Sequence, residues 1–403
     1  MKRRWSQGAA KKLVCVAATN YKELMTVTNQ LETARLDSCP QRGRVPAQAQ
    51  SLSRKWSQAA LLAVLFLVGC NRGKSEKQSQ FHPDVVVYSS VDDAYARPLC
   101  ERFSQVARIK VRLVLDTEET KSTGLLNRLI AEKTRPQADV FWSGDPVRAA
   151  VLQHKGISAP YLSAEARGLP AGMSDPQGQF TAFSARMRVI IFNQKMLEGK
   201  KAPASIFDLT APRFRGKACL ANPLFGTTSM HAAALFQVLG QEKAKEFFQR
   251  LTQNKVKMLS SNGEVRRRVA AGDFEIGLTD SDDANVALKE GAPIGFVLPD
   301  QDGMGALLVP NAVVLIAGAP NSENAKRFID FLLSPASEQW LAESEAAQMP
   351  LREEIAPPKF FGRPLSEIRL MKADSAPMAA QLEELAQGFL EEWVHQQMGL
   401  AAE

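Results

Sequence analysis

Three aspartates crowd one turn of this sequence. Asp280, Asp282 and Asp283 stand in the stretch GLTDSDDANVALKEG, Gly277 to Gly291, after the apolar residues Phe274, Ile276 and Leu278 and before a helix-like pattern. Carboxylates at the mouth of a buried strand have three uses. They cap the next helix, because an Asp at the N-cap or in the first turn meets unpaired N–H groups. They ligate hard cations through oxygen. Paired, they move protons.

Other loops share the same chemistry. Ser90 and Asp92 follow the run Asp84–Tyr88; Ser122, Thr123 and Gly124 follow Ile109–Leu115; Asp145 follows Ala138–Trp142. Further on, Gly226, Thr227 and Thr228 open one helical stretch, Ser261-Asn262-Gly263 opens another, and Asp280, Ser281 and Asp282 open a third. Any one of these loops reads well as a helix cap, and for Asp280 that reading is good. Capping alone does not explain why every strand ends this way. In open parallel sheets, ligands sit beyond the carboxyl ends of the strands, so these residues together predict a polar, acidic cleft built from helix N-termini.

No enzyme constellation accompanies them. The four histidines are His82, His154, His231 and His395. Only His231, one turn inside the helix after Gly226, is placed to face a cleft, and a surface histidine on that helix is the plainer expectation. No Gly-x-Ser-x-Gly, phosphate-binding Gly-rich Lys loop or His-Glu-x-x-His pattern is present. The expectation is a binding protein without catalysis or cofactor.

The elements that position these loops alternate. From residue 84, short β-branched runs are separated by amphipathic stretches of about a dozen residues, the pattern of a parallel sheet covered on both faces. A first set covers residues 84–154. A second has strands at Val189–Phe192, Ala218–Leu220, Val256–Leu259, Glu275–Thr279 and Ile294–Leu298. An apolar strand at Ala312–Ala317, two helices, and a long closing helix carrying Met378, Leu382, Leu385, Phe389 and Trp393 complete the chain. Two α/β units in one chain imply a cleft between them.

The formal charge of +7 is uneven. Residues 1–70 hold eleven Lys/Arg and three Asp/Glu, leaving 39 basic and 40 acidic residues in the rest. That excludes a nucleic-acid-sized basic surface. Arg54 and Lys55 precede the apolar run Ala59–Gly69, which ends at Cys70. This is the pattern of a secretory signal, and the run is shorter than the roughly 20 residues of a membrane span. Small residues followed by Cys resemble the lipobox of bacterial lipoproteins, so residues 54–70 read as a lipoprotein signal with lipidation at Cys70. Residues 71–82 are polar and read as a flexible tether. Residues 1–53 precede an export signal that normally starts near the initiator, and fit an over-long gene model. Cys100 and Cys219 lie far apart, make no disulfide framework or metal spacing, and read as buried.

Four segments carry a resemblance: VVVYSSVDDAYARPLCERF, ETKSTGLLNRLIAEKTRPQADVFWSGDP, ARMRVIIFNQ and AKRFIDFLLSPASEQ. From about Val85 to Leu351 the chain resembles the solute-binding subunits of ABC importers, nearest to the ferric-iron-binding group. The resemblance implies a type II periplasmic-binding-protein fold: two α/β lobes, each a mainly parallel sheet flanked by helices, closing on solute by hinge motion. Lobe one is then 83–182 plus 307–399, and lobe two 183–306. It also implies a monomer in the periplasm, held to the membrane by its lipid and working with a permease and an ATPase. Iron-binding members hold Fe(III) with a histidine or tyrosine after strand one, a carboxylate after strand three, and a tyrosine pair ending a lobe-two strand. Here Asp92 and Asp145 fall at or beside the first two, and Asp280, Ser281 and Asp282 occupy the tyrosine-pair segment. The tyrosines are absent: past the signal only Tyr88, Tyr95 and Tyr161 exist. Asp92, Asp145, Asp280 and Asp282 suit a cation, whereas helix N-termini at Gly226-Thr-Thr and Ser122-Thr-Gly favour an anion. The first expectation is ferric iron or another hard metal, with or without a synergistic anion. The alternatives are a sugar phosphate, a polyamine or a zwitterion, and lastly an enzyme or sensor on the same fold.

Overall fold

Val85–Ser89 (β1), Val111–Leu115 (β2) and Val140–Ser143 (β3) pair in parallel, β1 between the other two. All five β1 residues are buried, which is why it reads as a continuous apolar run rather than an alternation. Helices α1 (Asp93–Ala107), α2 (Thr123–Ala131) and α3 (Pro146–His154) alternate with these strands. In this computed structural model, residues 84–117 and 123–399 are described. The expected signal with Cys70, the expected tether and Ser122 lie outside them.

The second set is built alike. Ala218–Ala221 (β6), Lys257–Leu259 (β7) and Ile276–Asp280 (β8) are parallel. Between and after them come α4 (Gly226–Leu239), α5 (Gln241–Gln253), α6 (Asn262–Ala271) and α7 (Ser281–Lys289). Two antiparallel strands join the sets: β5 (Thr181–Asn193) and β10 (Leu308–Ile316). The full order is β2-β1-β3-β10-β5-β8-β6-β7, with β4 (Ser158–Ala159) beside β10 and β9 (Ile294–Val297) beside β5. Each lobe therefore mixes a parallel body with antiparallel edges.

Strand β5 is far longer than its predicted four residues. Its first half, Thr181–Met187, pairs with β10; its second, from Arg188, pairs with β8 and β9. One polypeptide strand thus passes from one lobe's sheet to the other's. A bulge marks the way: the register shifts at Pro310/Asn311, and Ser184 takes a positive φ of 40°. Asn311 Nδ2 donates to the Ser184 carbonyl at 2.7 Å and to Gln348 Oε1 at 2.7 Å, holding the bulge.

Lobe one packs Leu99 and Phe103 of α1 against Phe328 of α8 (Ser322–Leu333), the Phe103 and Phe328 rings meeting edge-on at 5.1 Å. Lobe two packs Val265 and Val269 of α6 on Cys219 and Ile191. Helix α9 (Pro335–Glu343) follows α8, and its Glu338 is paired with Arg352, both completely buried. The closing helix is not continuous. It comprises α10 (Ser375–Leu385) and α11 (Glu391–Met398), separated by a π-helical turn in which Gly388 leaves helical geometry (φ −112°, ψ −110°). Helix α10 packs on α3 of lobe one and α4 of lobe two, while Trp393 of α11 donates to the Phe248 carbonyl (2.9 Å) and Thr252 Oγ1 (3.0 Å) of α5. The C-terminal helices touch both lobes.

Candidate functional site

Where β5 crosses, it carries Arg186 and Arg188. Strand side chains alternate, so both point to one side while Met187 and Val189 fill the core. Arg188 stands directly opposite Asp280 on β8, and cross-strand pairs of opposite charge attract. Its Nη1 donates to Asp280 Oδ1 at 2.8 Å.

Asp280 is 2% exposed and saturated with donors. Its Oδ2 accepts from Thr227 Oγ1 (2.6 Å) and from Asn262 Nδ2 (3.2 Å), and lies 3.5 Å from Arg186 Nη1. Burial alone would raise its pKa; the Arg188 and Arg186 charges and the Thr227 bond outweigh that and hold it below the usual carboxylate value. The structure thus gives this aspartate a use not foreseen from the sequence. It makes no side-chain cap to α7. It neutralises Arg188 and ties together the starts of α4 and α6.

The capping explanation separates the other loops. Asp145 caps α3, accepting from Arg148 N at 3.1 Å, and Ser261 caps α6, accepting from Glu264 N at 3.1 Å. Asp92 makes no side-chain cap to α1. Helix α4 starts after Phe225, which offers no acceptor, so no side chain caps its first turn. Gly226 opens that turn at φ +56°, and a Cβ there would meet nothing within 4 Å.

These groups surround a small cavity of about 50 Å³. Of the sequence-predicted residues, Ser90, Asp92, Gly226, Thr227, Thr228, Asp280 and Asp282 line it. Asp283 and Asn262, from loops the sequence pointed to, line it as well, and so do Arg186 and Phe225, which the sequence did not point to. Four predicted residues do other work. Ser281 Oγ accepts from Met187 N at 3.1 Å, locking α7 to β5. Asp145 pairs with Arg148 at 3.4 Å and caps α3. Thr123 borders a separate groove with Leu126, Phe225 and Leu382, and neither it nor Gly124 lines the cavity.

Opposite charges meet in the cavity. Arg186 and the uncapped turn of α4 offer positive potential. Arg186 Nη2 also donates to the Gly144 carbonyl, and a Cβ at residue 144 would fall 2.9 Å from that nitrogen, so glycine leaves the guanidinium its room. Burial works against the Arg186 cation, but Asp282, Asp280 and Asp92 more than offset it and raise its pKa. Beside these positive groups stand Asp92, Asp282 and Asp283. Asp282 is buried, 3.8 Å from Arg186. Burial, with the charges of Asp283, Asp280 and Asp92, pushes its pKa well above the usual range against the pull of Arg186. Ligand atoms of Asp280, Asp282 and Asp283 lie within 4.8 Å of one another, the one such group among the described residues. The expected metal set differs: Asp145 is engaged with Arg148, Asp280 with Arg188, and Asp283 joins.

Two neighbours complete the picture. Tyr95 is buried, and burial with the charges of Asp282, Asp92 and Asp283 raises its phenol pKa, so it stays protonated. His231 faces neither surface nor cavity. It is 2% exposed, and burial beside Arg188 lowers its pKa to about 3, so the ring is neutral. Cys100 and Cys219 are free and buried, as expected.

Comparison with known proteins adds four findings. The family described as bacterial extracellular solute-binding protein matches residues 135–362. A Salmonella typhi periplasmic protein named for 2-aminoethylphosphonate binding is 28% identical over 319 residues, covering 75% of this chain and 87% of its own. Iron uptake protein A1 of Synechocystis sp. is 25% identical over 336 residues, covering 76% and 91%. Among solved structures, the periplasmic binding protein AfuA from Actinobacillus pleuropneumoniae, with exogenous fructose-6-phosphate bound, superposes with a TM-score of 0.69 at 23% identity, over 79% of this chain and 99% of that one.

Proposed function

This chain belongs to the bacterial extracellular solute-binding protein family, and from that premise we propose that its solute is a small zwitterion of the aminoalkylphosphonate class. The coarser role follows from the family: it is the periplasmic solute-binding component of an ABC importer. The observation that carries the finer reading is that groups of both charges line one cavity. Arg186 and the uncapped first turn of α4 suit an oxyanion. Asp92 and Asp283, on the same cavity wall, suit an ammonium group. Asp280 is already neutralised by Arg188 and is not available to hold a cation alone. The role is capture and delivery, with no chemistry performed on the solute.

The cavity of about 50 Å³ is far below the roughly 300–1,000 Å³ of drug-sized pockets, so an aminoalkylphosphonate and a sugar phosphate alike need the lobes to part further.

A hard cation is the second reading. The carboxylates of Asp280, Asp282 and Asp283 converge within 4.8 Å, and Fe(III) accepts such oxygens. Against it, Arg186 lies 3.8 Å from Asp282 and Tyr95 is held protonated. The test is thermal unfolding of the full chain with 2-aminoethylphosphonate, inorganic phosphate, fructose-6-phosphate or ferric citrate. A solute at 100 times its Kd adds about 2.7 kcal/mol. The expected result is a large upward shift with the aminophosphonate, weaker with phosphate, and lost in Arg186→Ala. A shift with ferric citrate that is absent with citrate, and no response to the aminophosphonate, overturns the reading.

Two further assignments are ours. We place the lobes at 83–182 plus 307–399 and at 183–306, with the C-terminal helices reaching across to lobe two. We place the lipid anchor at Cys70, tested by loss of fatty-acid labelling in Cys70→Ser.

A further inference from the structure

Arg148 belongs to α3 of lobe one, yet its guanidinium ends in lobe two. Nη1 donates to the Gly226 carbonyl at 3.3 Å, and Nη2 donates to Ser229 Oγ. Ser229 Oγ in turn donates to the Gly226 carbonyl at 2.9 Å, closing a small ring of bonds around the first turn of α4. Arg148 is 1% exposed and does not line the solute cavity. A second acceptor waits on its own helix. Asp145 Oδ2 lies 3.4 Å from Nη1, and neither that oxygen nor Arg148 Nε has a hydrogen-bond partner among the described residues.

We propose that Arg148 is the closure clasp, a positioning residue that adds lobe-two acceptors to its pair with Asp145 as the lobes meet. A buried guanidinium without acceptors is costly, so each lobe arrangement must supply some. With the lobes together, Gly226 and Ser229 accept. With the lobes apart those acceptors withdraw, and Asp145 Oδ2, already 3.4 Å from Nη1 and without a hydrogen bond, closes up to hold the charge alone. Neither state strands the cation, which keeps closure reversible. The clasp also fixes Gly226, whose turn offers positive potential to the cavity, so it tunes solute affinity without touching solute. In this last respect it rests on the solute-binding reading above.

The experiment is hydrogen–deuterium exchange of the full chain without solute, in wild type, Arg148→Ala, Arg148→Lys, Ser229→Ala and the Arg148→Ala/Ser229→Ala double variant. The expected result in Arg148→Ala is exchange about tenfold faster at the cavity walls, residues 226–230 and 90–93, with β1 and β8 unchanged. Arg148→Lys restores part of the protection, Ser229→Ala shows a smaller change in the same segments, and the double variant matches Arg148→Ala. Unchanged exchange overturns the proposal. So does faster exchange spread through β1, β3 and α3, which marks a lobe-one folding defect. In a second arm, affinity for 2-aminoethylphosphonate falls about tenfold in Arg148→Ala. If wild type does not bind that compound, the proposed solute fails while the exchange result still decides the clasp.

Discussion

Replacing Asp280 by Asn separates two uses of one carboxylate. If Asp280 chiefly touches solute, the change lowers affinity and leaves the empty protein's stability nearly untouched. The geometry says otherwise. Asp280 accepts from Arg188, Thr227 and Asn262, and an amide in its place turns one acceptor into a donor facing donors. Arg188, completely buried, keeps only neutral acceptors in Thr227, Asn262 and Thr228. Breaking a buried pair by removing one partner costs roughly 3–5 kcal/mol. Unfolding entropy is about 2.1 cal/mol/K per residue, so for a folded body of roughly 300 residues each kcal/mol moves Tm by about 1.5 °C. The expected fall is therefore about 5–8 °C in solute-free protein, read by calorimetry or dye-based thermal unfolding. Removing the charge on both sides, Asp280→Asn with Arg188→Met, recovers most of it, because replacing both members of a buried pair is often neutral. A midpoint within about 1 °C of wild type in Asp280→Asn refutes the anchoring role, and so does a double variant no better than the single one.

Asp282 responds to pH in the opposite sense. Burial, with Asp283, Asp280 and Asp92 around it, raises its pKa, so the folded state holds its proton more tightly than the unfolded chain. The empty protein then loses stability as pH rises from the ordinary carboxylate range through the raised value. Asp282→Asn removes that loss: its Tm exceeds wild type at neutral pH, and the difference closes on acidification. An equal offset at every pH would show that the charge is not the cause. Far from the cavity, Glu338 accepts from Arg352 and from Leu351 N (2.6 Å); Glu338→Gln should cost roughly 3–5 kcal/mol by denaturant unfolding. Solute affinity per folded molecule stays unchanged, and a selective loss of affinity would mean this pair reaches the site.

Much of the architecture was legible because buried parallel strands announce themselves. Val85–Ser89 and Ile276–Asp280 are apolar runs bounded by cap residues, and the loops after them line the cavity through Ser90, Asp92 and Asp280. The crossing strand was not legible. In Thr181–Asn193 the residues Ser184, Arg186 and Arg188 interrupt the apolar pattern, and only Val189–Phe192 reads as strand. Yet the interruption is the signal: Arg186 and Arg188 alternate with Met187 and Val189, the period of one polar face on an otherwise buried strand. The uncapped helix left a trace too, since Phe225-Gly226 stands where Ser, Thr, Asp or Asn is usual.

What local sequence cannot carry is the use of a given aspartate. Asp145, Asp280 and Asp282 are the same residue in the same kind of loop, and each expectation about them rested on that loop. One caps its own helix, one neutralises an arginine, and one faces the cavity with its pKa raised. The difference comes from partners 3 residues away in the case of Arg148 and 92 residues away in the case of Arg188. The second partner is set by the register of β5 against β8, and a one-residue slip would turn Arg188 to the other face. The pairing of charge at the cavity wall is thus a property of strand register. It follows that a variant which shifts the β5 bulge, such as Asn311→Ala, should disturb the charged site while leaving every cavity residue in place.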